Sequence, residues 1–359
     1  MKHDGYYFNP KIAGFSVGSP FACLDGYQME LLSPARQTEK GLALAGRDLG
    51  RIFFMLPCSV SAPVWEPERF YPLRDTFSPY GCQIDCVEDT TQLLLTSDAS
   101  ILPAAQIHAA ITQKKGQPGD YRGLYWHTGM HRYAPYRVYL PKSYDPTRKN
   151  PLILGLHGGG GSPDSIFVNS GDKIKVFAEQ GGYILIAPDG STINSTYGCA
   201  ISPNGMVGAH WDKSHPENPE GLNSEELHSV AMGEVGLDLV LALAQKEYAA
   251  DPGRLYLMGN SMGGMGTLYY ASRHSGVFRR ICAQGAIPNM QLFDPSGLKD
   301  QPTLFVAGEC DSHGVEHLRQ GVQELKEAGV PVVYREVPGG THSSAWVDVL
   351  DEIFAFFHP

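Results

Sequence analysis

From about residue 136 onward, short apolar runs alternate with longer stretches of helical periodicity, and this alternation restricts the fold more than any other property of the chain. The runs cover residues 137–140, 151–156, 183–187, 254–259, 280–286, 302–307 and 330–337. They are rich in β-branched or aromatic residues, and several are apolar almost throughout, as parallel strands buried on both faces should be. Helical patterns lie among them at 173–180, 229–248, 262–274, 315–328 and 344–357. Strand and helix alternating at this spacing predict a doubly wound, mostly parallel α/β sheet with right-handed crossovers.

Residues 1–115 lack that alternation. They hold short runs, such as 50–55 and 92–96, broken by Pro and Gly, and predict a small β-rich accessory region. A long N-terminal embellishment wrapped on the core is the alternative. The polar segment 113–120, Gln-Lys-Lys-Gly-Gln-Pro-Gly-Asp, reads as the linker, so that 116–359 forms the α/β unit.

Composition narrows the partners. The 28 Lys and Arg against 38 Asp and Glu give a net charge of −10, and no basic run suits nucleic acid or an anionic membrane. No apolar stretch reaches the length of a membrane span, and the first ten residues lack the apolar core of a secretory signal. Seven cysteines, an odd count in a long chain, fit reduced thiols better than a disulfide framework. These features predict a cytoplasmic location. Cys23, Cys58, Cys82 and Cys86 have the wrong spacing for common zinc ribbons, and His127 and His131 are separated by Gly129, which disfavours the helix a metal pair would need.

The pattern Gly-x-Ser-x-Gly occurs twice. The first, Gly14-Phe15-Ser16-Val17-Gly18, follows no apolar run and meets Pro20, so it reads as a loop. The second, Gly259-Asn260-Ser261-Met262-Gly263, ends a strand candidate and opens a helix candidate. So abrupt a turn lifts the serine hydroxyl clear of the sheet, and the helix start directs free N–H groups toward it. A serine hydroxyl needs a base and an orienting carboxylate, which in this arrangement follow in the order acid, then histidine. His342, in the glycine-rich loop Pro338-Gly-Gly-Thr-His-Ser-Ser, suits the base. Asp311 suits the acid, with Glu309 as competitor and helix capping as the alternative role for Asp311. The run Leu156-His157-Gly158-Gly159-Gly160-Gly161-Ser162 exposes backbone N–H groups to an oxyanion, and it lacks the Gly-Lys-Ser/Thr ending of a phosphate loop. His157 is expected to bond backbone around that loop.

With these residues the chain resembles the α/β-hydrolase family. The segments Tyr136-Arg-Val-Tyr-Leu-Pro, Pro151-Leu-Ile-Leu-Gly-Leu-His-Gly-Gly-Gly-Gly, Ala187-Pro-Asp-Gly and Asp251-Pro-Gly-Arg-Leu-Tyr-Leu-Met-Gly-Asn-Ser-Met-Gly-Gly are similar to its polyhydroxybutyrate-depolymerase-like and feruloyl-type esterases. The resemblance covers roughly 130–359 and implies Ser261 as nucleophile, Asp311 as acid, His342 as base, and the N–H groups of Gly159 and Met262 as the oxyanion hole. It implies no metal or organic cofactor. The partner it implies is a small-molecule or saccharide-linked ester, with homo-oligomerisation compatible. Residues 191–227 form an irregular, lid-like insertion; Gly158, Tyr197, Trp211 and Trp346 are candidate pocket residues, the aromatics being equally suited to core packing. A serine peptidase of prolyl-oligopeptidase type shares the triad order, but the N-terminal third is too short for a propeller. A non-catalytic binding protein on the same fold is the remaining alternative.

Overall fold

The computed structural model describes residues 10–55, 63–88, 91–95, 104–112, 116–190, 196–199, 224–288 and 294–358. The N-terminal third holds β1 (Ile12–Ser16), β2 (Phe21–Leu24), β3 (Tyr27–Glu30), β4 (Arg36–Thr38), β5 (Gly41–Ala45), β6 (Phe70–Pro72), β7 (Gln83–Glu88) and β8 (Thr91–Leu95), with helices α1 (Gly46–Met55), α2 (Leu73–Phe77) and α3 (Ala104–Thr112). The expected β-rich region is therefore present, with two departures in detail. The run 50–55 is helical, because Leu49, Ile52 and Phe53 recur at helical spacing and bury one stripe against β5 and β2 side chains. Ser16 of the first Gly-x-Ser-x-Gly copy ends a strand instead of lying in a loop, yet a tight turn into β2 follows it, so no helix start faces its hydroxyl.

After these come β9 (Gly119–His127), β10 (Arg132–Leu140), β11 (Asn150–Leu156), β12 (Ile184–Pro188), β13 (Ala250–Asn260), β14 (Arg280–Gln284), β15 (Thr303–Cys310) and β16 (Val332–Thr341). Their order in the sheet is β9-β10-β12-β11-β13-β14-β15-β16, with β9 and β10 antiparallel and β11 to β16 parallel. The doubly wound prediction holds. Helices α4 (Ser165–Asn169), α5 (Lys173–Gly181), α6 (Ser224–Glu247), α7 (Met262–Arg273), α8 (Val315–Glu327), α9 (Ala345–Asp348) and α10 (Leu350–Phe357) cover its faces. The last predicted helix is broken into two at Val349, whose φ of −121° leaves the helical region.

Period-two alternation divides each apolar run between the two faces. Leu152, Leu154, Leu255, Leu257, Phe305 and Ala307 join a core with α6, α7 and α8. Ile153, Tyr256, Met258, Leu304 and Val306 point the other way, into a core with α4, α5, α9 and α10. Each face therefore buries its own half of the run, which explains why the strands look continuously hydrophobic in sequence.

Five N-terminal strands extend this sheet in the order β9-β3-β2-β1-β8-β7, and β4, β5 and β6 form a separate small sheet. The join is a single parallel step pairing Gln28 with Gly123. Leu124 of β9 is buried in the N-terminal core, and Tyr133 of β10 packs against it.

Candidate active site

The strand order reverses between β11 and β13, and the carboxyl ends of strands at such a reversal frame a crevice. The glycine run 158–161 leaves β11 there, and Ser261 leaves β13. Ser261 has φ 57° and ψ −118°, a conformation costing a non-glycine residue about 1–3 kcal/mol. The surrounding contacts hold it: its N–H donates to Gln284 O at 2.7 Å, and its carbonyl accepts from Met265 N at 3.0 Å. Bare backbone is required around it. A Cβ at Gly259 would lie 2.2 Å from Gly263 O, and one at Gly263 2.2 Å from Leu156 O. Met262 is the first residue of α7, so its N–H has no carbonyl partner within the helix.

Asp311 is the first residue beyond β15, and His342 the first beyond β16. The structure brings them together across 31 residues of sequence: His342 Nδ1 lies 2.9 Å and 3.0 Å from the two carboxylate oxygens. Asp311 is buried. Burial alone would raise its pKa, but hydrogen bonds from the His342 ring and the His313 main-chain N–H outweigh that and hold the carboxyl below its ordinary value. Glu309, the competitor, is exposed and accepts the Gly339 N–H at 2.8 Å instead. Asp311 does not cap α8, whose N-cap is Gly314 without a side-chain bond.

Two neighbours were not singled out from the sequence. Asn260 donates from its side-chain amide to His342 O at 3.2 Å, tying the histidine loop to the serine turn. It occupies a variable position of the Gly-x-Ser-x-Gly pattern, which is the one signal that could have marked it. His313 lies against His342 with ring centroids 4.1 Å apart and ring planes tilted by 48°; no spacing rule would have drawn it there.

The glycine loop is braced from beneath. His157 is buried, and burial pushes its pKa down to about 4, so the ring is neutral. Its Nδ1 meets Gly158 O at 2.8 Å while Nε2 accepts the Gly190 N–H at 3.2 Å, the backbone-bonding role expected of it. Beyond the loop, Asp164 accepts from Arg122 Nε at 2.8 Å and Arg137 at 2.9 Å, and the Tyr27 hydroxyl reaches it at 3.4 Å. Arg137 also grips Asp120 through two hydrogen bonds.

Of the loop glycines, Gly158 lies against the serine: a Cβ there would meet Ser261 Cβ at 3.4 Å, whereas one at Gly159 would enter open space. The aromatic candidates fall differently. Tyr197 is fully buried, its hydroxyl 3.0 Å from His157 N, and Trp346 lies in the core under β15 and β16, so both take the packing role. Trp211 and nearly all of 191–227 lie outside the described residues, as do Cys58 and the side chain of Cys86. His127 is buried at the end of β9, with Nε2 on Met232 O at 3.0 Å and Nδ1 accepting from Met130 N.

Residues 127–357 match the profile of a protein family described as Esterase. Feruloyl esterase B of Thermothelomyces thermophilus is 26% identical over 184 residues, 51% of this chain and 53% of the relative. The chain spans about half the length of the curated relatives it matches. A solved ferulic acid esterase superposes with a TM-score of 0.51 at 17% identity, covering 67% of this chain and 97% of that one. A fluorophosphonate-binding serine hydrolase of Staphylococcus aureus gives 0.50 at 15%, covering 67% and 99%. At these identities the structural likeness is one of fold. Among the described residues, no helix is long and apolar enough to cross a membrane.

Proposed function

The chain belongs to the esterase family, and from that premise we propose that it is a serine hydrolase cleaving carboxylic esters through an acyl-enzyme intermediate. Residues 116–359 carry the chemistry, and residues 1–115 are accessory. The Asp311 carboxylate holds His342 with Nδ1 inward, which leaves Nε2 to take the Ser261 proton as the serine oxygen attacks the ester carbonyl. The oxyanion is met by the Met262 N–H and an N–H of the glycine loop, Gly159 in our assignment, with Gly158 closing the near wall. Collapse expels the alcohol, which takes its proton from His342. Water, deprotonated by the same ring, then attacks the acyl group, and the acid leaves as His342 returns the proton to the Ser261 oxygen.

The observation that carries this reading is the doubly hydrogen-bonded His342–Asp311 contact beside the strained Ser261 turn. Naming of the curated relatives as feruloyl esterases makes aryl and saccharide-linked esters the first substrates to test. A fluorophosphonate probe followed by peptide mass analysis should label Ser261. Labelling at Ser16, or none, overturns the assignment. Ser261→Ala should lose about 10⁶-fold in kcat on nitrophenyl acetate. Methyl ferulate should turn over faster than an aminoacyl anilide; the reverse order favours a peptidase.

A further inference from the structure

A second imidazole crowds the proposed triad. His313 lies two residues past Asp311, in the turn before α8, with its side chain 40% exposed. Its Nδ1 is 3.3 Å from Asp311 Oδ1 and 3.2 Å from His342 Nδ1. His342 Nδ1 is itself 3.0 Å from that same Oδ1. Three ligand atoms from three side chains thus form a nearly equilateral triangle, and the His313 main-chain N–H adds a bond to Oδ1 at 2.9 Å.

A neutral imidazole offers one N–H and one lone pair, so protons can hold this cluster only if both rings turn an N–H to the one carboxylate. His342 Nδ1 then reaches Oδ2 at 2.9 Å and His313 Nδ1 reaches Oδ1 at a longer 3.3 Å, with the two ring nitrogens only 3.2 Å apart. One cation satisfies all three atoms together. Tetrahedral zinc binds nitrogen and oxygen at about 2.0–2.1 Å, which sets its ligand atoms roughly 3.3 Å apart. The observed edges are 3.0, 3.2 and 3.3 Å. Two imidazoles and a carboxylate are a ligand set zinc accepts, and the exposed face of His313 supplies the entry path.

We propose that Asp311, His313 and His342 form a zinc site whose occupation reversibly stops ester hydrolysis. The inhibitory half rests on the triad reading above; the site itself does not. Zinc on Nδ1 of His342 keeps the ring proton on Nε2, and that nitrogen can then no longer accept the Ser261 proton. The ring stays neutral, so the tautomer shifts without net proton loss. Asp311 changes from orienting carboxylate to ligand.

The test titrates EDTA-treated full-length protein with zinc chloride by calorimetry, with nitrophenyl acetate turnover measured in parallel. One zinc per chain should bind, and saturation should lower the rate at least about tenfold, reversed by EDTA. His313→Gln should weaken zinc binding at least about tenfold and move inhibition to correspondingly higher zinc. His313→Ala provides the second variant, and circular dichroism checks that both fold. Ser261→Ala, which has no turnover, should bind zinc as the parent does, so the site is read independently of catalysis. Zinc binding undiminished in both folded His313 variants overturns the site, as does no binding to the parent. Stoichiometric, His313-dependent binding with an unchanged parent rate overturns the inhibition. A parent that binds zinc this way but takes no fluorophosphonate keeps the site and sinks the triad.

Discussion

The two halves of the sheet are built by opposite rules. From β11 to β16, parallel strands carry apolar residues on both faces because helices cover each side, and every candidate catalytic group follows a strand end. On the other side, β1, β2, β3, β7 and β8, strands of four to six residues, pair antiparallel and are packed by α1, α2 and α3. The first arrangement gathers distant residues at one rim, because parallel strands all end on the same side. The second returns the chain after each strand, so its ends alternate and gather nothing. The candidate groups therefore gather in the parallel half, and the antiparallel half reaches toward them through Tyr27, which meets Asp164 beyond the glycine loop.

Four changes test that division. Asp311→Asn should cost about 10⁴-fold in kcat with the fold kept, since the change spoils the His342 tautomer without altering shape; a loss under about tenfold would detach Asp311 from the chemistry. Phe77→Ala strikes the other half. Phe77 is fully buried and stacks on Phe53 at 5.9 Å, so its truncation should cost about 3–5 kcal/mol. Calorimetry should then resolve an early N-terminal transition while turnover per folded molecule persists. Joint loss of both in one transition would mean that the halves are a single cooperative unit.

Arg137→Met probes the seam. Burial would raise the pKa of Asp120, but Arg137 and Lys175 outweigh it and hold the carboxyl below its ordinary value. A depressed carboxyl stabilises the fold fully above the unfolded value, about 3.9, and that contribution is lost as pH falls through the lower folded value. Removing Arg137 should therefore cost about 2–3 kcal/mol at neutral pH, less than a fully buried pair because the Asp120 side chain is 24% exposed. It should also move acid unfolding, followed by fluorescence, to higher pH. An acid midpoint unchanged from the parent would remove Asp120 from the account. Tyr27→Phe should show the smallest effect: a lost hydrogen bond, long at 3.4 Å, of about 0.5–1 kcal/mol, read as a two- to fivefold fall in kcat/KM. No change would leave the N-terminal half without influence on the glycine loop.

The same difference decided what was legible in the sequence. Buried parallel strands and abrupt glycine turns leave local marks, so β11, β13 and β15, with Ser261 between β13 and α7, could be read directly from residues in a row. Asp311 was favoured over Glu309 only by its place past the strand, and the pairing of β15 with β16 is what turns it toward His342. Asn260 and His313 act through contacts spanning 82 and 29 residues, for which local patterning holds no signal. The run 50–55 misled because six apolar-rich residues suit strand or helix until the partner surface chooses between them. Tyr197 offered an aromatic ring in an irregular segment, and only the neighbouring His157 backbone shows that the ring is structural.

The single Gln28–Gly123 step joining the halves bears on how the native molecule breathes. A ladder with many rungs spreads protection from solvent deuterium evenly, whereas one rung lets two blocks open on separate clocks. Amides of β11, β13 and β15 should exchange only through global unfolding, and those of β1 to β3 through a cheaper excursion that leaves the serine turn intact. Exchange mass spectrometry would then trace the seam as a step in protection between neighbouring strands of one sheet.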